Sequence, residues 1–374
     1  MKQNMTIREA ISITSMLFGM FFGAGNLIFP VYMGQLAGRA LIPAVIGFCV
    51  TGVGLPLLGV AALGISRSDG LAELSGRVGK GYGLFFTCLL YLTIGPFFAI
   101  PRCATVPFTV AIQTLLPKDT GATVPLAIFS LAFFGIVLAF SLRPNRILTW
   151  IGRILNPIFL VSLGILVAAA LIAPIGAVSS VEPEAAYASG AFFQGFLEGY
   201  NTMDALAGLA FGIIVVNVIR EMGISDPNAV AKNTVRAGIF SCLLMAVIYW
   251  SVTVVGAQSR GLYDVCANGG EVLALVANHY FGPVGAIILA VTVTFACLKT
   301  AVGLITSCAE TFAARFPNGP ALPHLGNCFL YGIISHCKFG AEHDHCIFAA
   351  GPDVPVPVGH YADSAGAVRP VFRQ

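Results

Sequence analysis

Charge is what this sequence has least of. Asp, Glu, Lys and Arg make up only 10% of its 374 residues, whereas a soluble domain carries about 25% charged residues. Hydrophobic residues account for 57% of the chain, and its mean hydropathy is +0.87. Because this leaves too little polar surface to cover a soluble globule, the composition predicts an all-α integral membrane protein whose first partner is the lipid bilayer.

Other absences exclude further classes of function. There is no basic run of the kind that binds nucleic acid, and no HExxH motif. His279 is the only histidine before residue 318, so general acid–base catalysis would have to rest on Asp204 alone. The ten cysteines are scattered through mostly apolar segments, which is typical of small buried hydrophobes rather than of a disulfide framework. The sequence therefore predicts no enzyme, no cofactor, no metal site and no nucleic-acid partner.

Long apolar segments are abundant, and about 20 such residues suffice to cross a bilayer. We predict eight spans, at about 10–35, 40–65, 82–106, 122–141, 148–173, 191–219, 234–257 and 283–308. Segment 269–280 is too short to cross and is predicted to be a loop helix. Lys and Arg concentrate in alternate connections, for example Arg67, Arg77 and Lys80 between spans 2 and 3. Since positive charge collects on the inner side, the N-terminus is predicted to be cytoplasmic.

Two spans contain helix-breaking sequence. Span 1 includes FGMFFGAGNLIFP, residues 18–30, and span 6 includes EGYNTMDALAGLAFG, residues 198–212. Broken backbone at membrane depth is tolerated only where it lines a protein-walled cavity. The breaks lie five spans apart, as an inverted repeat of five helices would place them, and paired breaks of this kind mark the binding site of a transporter.

Such a site suits an amino acid, because free N–H groups attract a carboxylate and free carbonyls attract an ammonium or a small cation. The alternative is that the glycines only allow close helix packing. The predicted substrate contacts are the residues of the two breaks: Gly23, Ala24, Gly25, Asn26, Tyr200, Asn201, Thr202, Met203 and Asp204.

Three charged residues within the spans need a role or a partner. Asp204 either caps the half-helix that follows it or contacts a substrate or cation. Arg102, near the outer end of the proline-kinked span 3, either extends to the interface or gates the outer mouth. Lys299 is the only Lys or Arg deep inside any span, so it requires a partner.

Several long motifs in order carry a resemblance. FGAGNLIFP, TGVGLPLLG, IGPFFAIPR, GYNTMDALAGLAFG and CLKTAVGLITSCAETF resemble the branched-chain amino acid:cation symporters, the LIVCS or BrnQ-type bacterial carriers, over about residues 5–316. The resemblance implies uptake of leucine, isoleucine and valine across the bacterial inner membrane, coupled to Na⁺ or H⁺, with twelve spans in a complete member. It also implies a fold with inverted repeats and broken helices 1 and 6.

The same resemblance implies a cation site between spans 1 and 8. Its residues would be the carbonyls of Gly19 and Phe22 together with Ala296, Lys299 and Thr300. A hydroxyl residue is expected where Lys299 stands. An ammonium there would take the place of the ion itself, which favours proton coupling or an inactive site; a base change or sequencing error is the competing explanation.

The resemblance ends near Pro317, which divides the chain into a transporter core, residues 1–317, and a different segment, residues 318–374. The second segment holds five of the six histidines, including the cluster HCKFGAEHDHCIFAAG, whose spacing does not match zinc motifs. We predict that it is a frameshift product that replaces spans 9 and 10; a zinc-binding tail and a divergent soluble tail are the alternatives. A chain with that replacement is expected not to transport.

Three other functions remain open at this stage. Another neutral amino acid symporter would share the same broken helices. A channel or sensor would use them differently, although the sequence shows no pore-lining ring of charge. A membrane-embedded enzyme is the least supported. The sequence does not indicate the coupling ion, the preference among leucine, isoleucine and valine, or the oligomeric state.

Overall fold

The computed structural model of the protein describes residues 5–68, 70–112, 123–143 and 146–315. All elements assigned within these residues are helical. The α-helices in chain order are α1 Ile7–Phe21, α2 Gly25–Ala37, α3 Leu41–Cys49, α4 Leu55–Ser66, α5 Leu71–Gly76, α6 Lys80–Leu92, α7 Ala99–Pro107, α8 Thr123–Ser141, α9 Asn156–Ile172, α10 Ala185–Asn201, α11 Asp204–Glu221, α12 Pro227–Ser259, α13 Gly269–Phe281 and α14 Pro283–Arg315. The predicted second segment, residues 318–374, lies outside the described residues, so the frameshift and the zinc-binding tail stay untested.

Several helix starts follow from local sequence. Thr6 precedes α1, and its hydroxyl accepts from the Glu9 N–H while the Glu9 carboxylate accepts from the Thr6 N–H. This reciprocal pair satisfies two N–H groups that a helix start otherwise leaves unbonded. Asp226 caps α12 by accepting from the Ala229 N–H, and Pro227 occupies the first helical position, where its missing N–H is not needed.

Within the described residues, seven helical stretches are long and apolar enough to cross a membrane. The first, Gly25–Ser66, has 42 residues and would be about 63 Å long if straight, about twice the thickness of the hydrocarbon core. It turns at Gly38, whose φ is +47°. If this stretch is divided at Gly38, and α1 and α2 are counted together as the first span, the seven stretches correspond to the eight predicted spans. The helix α13 has 13 residues, as predicted for a loop helix.

Glycines bring the helices that carry the breaks into close contact with their neighbours. A Cβ on Gly34 of α2 would overlap the Thr253 carbonyl oxygen of α12, and one on Gly195 of α10 would overlap the Ala44 carbonyl oxygen of α3. A Cβ on Gly208 of α11 would lie 2.6 Å from the carbonyl oxygen of Pro56 in α4. Small residues allow this approach of backbones in membrane proteins. The broken helices are therefore held by close packing on each side of their breaks.

Candidate functional site at the paired helix breaks

The first break separates α1 from α2. Gly23 donates its N–H to the side-chain oxygen of Asn26 at 2.9 Å, a bond that a continuous helix would direct to the carbonyl of residue 19. The break therefore exposes the last carbonyls of α1 and the first N–H groups of α2, which have no partner within their own helix.

The second break separates α10 from α11. Met203 has φ +63° and ψ +13°, a left-handed conformation that is uncommon for a residue with a side chain. The Thr202 hydroxyl donates to the Gly199 carbonyl at 2.8 Å and accepts from the Asp204 N–H at 3.4 Å. A strained residue of this kind costs about 1–3 kcal/mol and persists only where its surroundings enforce it, often at a binding site.

A buried polar cluster joins the two breaks. Asn26 donates its side-chain N–H groups to Asp204 Oδ2 and to the Tyr249 hydroxyl. Tyr249, from α12, donates its hydroxyl to the same Asp204 oxygen at 3.0 Å. All three side chains are buried. Asp204 is the first residue of α11, and its carboxylate joins that helix to α2 and α12 through these bonds.

The breaks line a small cavity. Its volume is about 30 Å³, which is room for about one or two water molecules. Binding of an amino acid would therefore require the lining side chains to separate. Seven of the nine predicted substrate contacts line this cavity: Gly23, Ala24, Gly25, Asn26, Thr202, Met203 and Asp204.

The other two predicted substrate contacts lie elsewhere. Tyr200 is 54% exposed, and neither Tyr200 nor Asn201 lines the cavity. The reason is geometric: both belong to the last turn of α10, and the chain changes direction only after them. Close packing also explains Gly199 and Gly208 of the same motif, since a Cβ on either would overlap α3–α4 backbone or the Thr51 hydroxyl. The packing alternative thus holds for these glycines, whereas Gly23 and Gly25 border the cavity.

Arg102 also lines this cavity. It lies in α7, which follows a kink where Gly95 has non-helical φ and ψ angles. Its guanidinium carbon is 5.4 Å from the centroid of the Phe29 ring. The sequence suggested the interface or the outer mouth for this residue, whereas the structure places it at the cavity.

Lys299 is completely buried in α14. Its Nζ donates to the side-chain oxygen of Asn156 at 3.0 Å and lies 3.5 Å from the centroid of the Phe159 ring. The rings of Phe18 and Phe22 lie 5.1 and 5.7 Å away. The ion pairs found in the described part of the chain do not include Lys299, so an amide and three aromatic rings are the partners that this ammonium has there.

The predicted cation residues are brought together only in part. The Thr300 hydroxyl donates to the carbonyl of Met20 at 2.9 Å, which connects α14 to the last turn of α1. A Cβ on Gly19 would lie 3.4 Å from Asn156 Cγ, so Gly19 adjoins the amide that holds Lys299. Phe22 contributes its ring to Lys299, while Ala296 is buried one turn earlier in α14. Among the residues described, no group of three or more His, Cys, Asp or Glu could hold a metal ion.

Helices broken at matching places around a cavity lined by both polar and apolar residues define a multi-span helical transporter. The fold is similar to that of MhsT solved in complex with L-phenylalanine, with a TM-score of 0.62 over 88% of this chain and 79% of that chain. The sequence identity between the two is 16%, so this similarity concerns the fold.

Sequence comparison identifies the family. Residues 6–323 match the family model described as branched-chain amino acid transport protein, and the chain belongs to this family. It is 56% identical to the branched-chain amino acid permease BrnQ of Lactobacillus delbrueckii subsp. lactis, over 85% of this chain and 71% of that protein. It is 45% identical to BrnQ of Bacillus subtilis, over 85% of this chain and 72% of that protein. Its family consists of membrane transporters rather than enzymes, as the sequence predicted.

Proposed function

We propose that the transporter whose core is residues 1–317 takes up branched-chain amino acids across the bacterial inner membrane by symport with a cation, with its N-terminus in the cytoplasm. If residues 318–374 replace spans 9 and 10, the present chain is itself expected not to transport. The identity of 56% to a permease for these substrates carries the proposal. The site supports it, because the buried Asn26–Asp204–Tyr249 cluster provides polar groups for the charged end of an amino acid.

The apolar side of the cavity suits a branched aliphatic side chain. Phe21, Ile94 and Phe211 line it together with Ala207 and Leu304. Their burial means that a leucine side chain entering among them would leave water for an apolar environment, which contributes about 25 cal/mol per Å². A charged or strongly polar side chain would have to lose its hydration there.

For the coupling ion we propose H⁺ rather than Na⁺. Lys299 stands at a position where the resemblance implies a cation ligand, and its ammonium already has Asn156 and three rings as partners. A second unit charge about 4 Å away would be repelled by about 4 kcal/mol at an effective dielectric constant of about 20. A proton can leave and return to an amine at this position without any second cation being bound there.

The test is binding of radiolabelled leucine to the purified protein, with unlabelled amino acids as competitors. We expect isoleucine and valine to displace leucine, and lysine and glutamate not to. Asp204→Asn is expected to weaken binding. Glu182→Gln is the matched control, because it makes the same carboxylate-to-amide change at an exposed ion pair with Arg39. Displacement by all small neutral amino acids alike would indicate the alternative, a general neutral amino acid carrier.

The coupling ion has its own measurement. Leucine binding is expected to be the same in sodium and in choline buffers and to change with pH. A requirement for sodium at constant pH would contradict proton coupling while leaving the substrate assignment intact.

A further inference from the structure

Arg102 brings a guanidinium to the cavity at the breaks. A methyl group placed on Gly25 would lie 2.8 Å from Arg102 Nη2 and 3.0 Å from Cε2 of Phe29. The guanidinium therefore lies against the first turn of α2, with the Phe29 ring 5.4 Å from its central carbon. Cation–π contact of this kind holds the group in place without using its N–H donors.

Those donors have no partner among the residues that the structure describes. Within the described ranges, no hydrogen bond from the Arg102 guanidinium is formed, and no carboxylate oxygen lies within 4.0 Å of its nitrogens. Arginine carries five N–H donors, and a charged group at membrane depth normally pairs with another polar group. A guanidinium that borders a cavity and has its donors free is arranged to receive an anionic group from a ligand.

Asp204 borders the same cavity and carries the opposite charge. The two side chains together contribute no net charge, so an occupant of the cavity should also carry none. An α-amino acid has this property, with its carboxylate and ammonium separated by one carbon. The guanidinium fork matches a carboxylate in shape and can bind both of its oxygens. The N-terminal end of α2 beside it favours negative charge as well.

We propose that Arg102 receives the α-carboxylate of the substrate while Asp204 faces its α-ammonium, which makes Arg102 a residue that selects zwitterionic α-amino acids. This inference rests on the proposed function, since it assigns one end of the substrate bound at that site. It differs from the two roles that the sequence suggested, because neither extension to the interface nor gating of the outer mouth requires contact with the carboxylate.

The test compares leucine with leucinamide, which keeps the ammonium and the side chain but has no carboxylate. In the unmodified protein leucine is expected to bind more tightly than leucinamide. In Arg102→Gln, leucine affinity should fall about 10- to 100-fold, as for loss of charge-assisted hydrogen bonds, while leucinamide affinity should stay within about twofold. The preference for the carboxylate should therefore largely disappear. Arg102→Lys keeps the positive charge but not the paired N–H donors of the guanidinium. It should therefore retain part of the preference for leucine over leucinamide.

Gly25→Ala provides a second variant that retains Arg102. Its new methyl group would displace the flexible end of the arginine side chain, so leucine affinity should fall by a larger factor than leucinamide affinity. An equal loss for both ligands in Arg102→Gln and in Gly25→Ala would overturn the proposal and indicate a gate or a structural role. Unchanged leucine affinity in Arg102→Gln would also overturn it. If the unmodified protein binds no leucine, the result contradicts the proposed function itself. That outcome is distinguishable from a failure of the role proposed for Arg102.

Discussion

The amide of Asn156 should determine whether a buried Lys299 is tolerated. We therefore consider Asn156→Leu, a replacement of similar size that removes the acceptor of the 3.0 Å bond from Lys299 Nζ. A hydrogen bond to a charged group contributes about 1.5–3 kcal/mol. The same change removes the bond from Asn156 Nδ2 to the Ser15 hydroxyl, 2.9 Å long, which contributes about 1 kcal/mol. The variant is expected to lose about 2.5–4 kcal/mol of stability.

Lys299→Met should behave differently, because it removes the ammonium itself. The change gives up the bond to Asn156 and a cation–π contact with Phe159, at 3.5 Å from the ring centroid, that contributes about 2 kcal/mol when desolvated. It also removes the desolvation cost of a completely buried charge, which is several kcal/mol. These terms nearly cancel, so the stability of Lys299→Met should be close to that of the unmodified protein.

The double variant Asn156→Leu/Lys299→Met then distinguishes the charge from ordinary packing. With the ammonium absent, the loss of the amide should cost only the bond to Ser15, about 1 kcal/mol, so the double variant should be about 1.5–3 kcal/mol more stable than Asn156→Leu. Thermal unfolding in detergent compares the four proteins. Equal stability of Asn156→Leu and the unmodified protein, or no recovery in the double variant, would refute the reasoning.

Three further outcomes are expected. Gly34→Ala should destabilise the protein by about 1–3 kcal/mol, because its Cβ would overlap the Thr253 carbonyl oxygen. Gly164→Ala, which has no neighbouring atom within 4 Å, should be neutral or should stabilise the protein by up to about 1 kcal/mol. Thermal unfolding of both variants tests this, and equal effects would contradict it. Tyr249→Phe keeps the ring contacts with Phe22 and Phe48 but removes a donor to Asp204, so leucine affinity should fall about tenfold, and an unchanged affinity would mean that the cluster does not shape the site. Sequencing the source DNA across codons 295–325 should reveal one gained or lost base if residues 318–374 are a frameshift product, and an unaltered read would refute that prediction and also show whether position 299 is lysine.

The backbone of the site could be predicted because its signals are local. Gly23, Gly25, Asn26 and Asp204 interrupt apolar segments, and an interruption at membrane depth has few physical explanations. The structure places all four at the cavity. The span count followed from length and hydropathy, although the turn at Gly38 separates two spans within a nearly continuous helical stretch.

The partners across the site could not be predicted in the same way. Tyr249 belongs to a helix of 33 residues in which nothing marks it from its apolar neighbours, and only tertiary packing brings it to Asp204. Lys299 was predicted to need a partner, but Asn156 lies 143 positions away in the chain. The place of Arg102 at the cavity could not be predicted either, because it depends on the kink at Gly95.

The most direct measurement is a density map of the protein purified with leucine and held by an antibody fragment. The account predicts leucine density between the two helix breaks, with its carboxylate against the Arg102 guanidinium and its ammonium on the Asp204 side. It also predicts that the cavity expands from about 30 Å³ to contain the ligand. Leucine density at any other place, with the Asn26–Asp204–Tyr249 cluster unchanged, would contradict the assignment of the breaks as the substrate site.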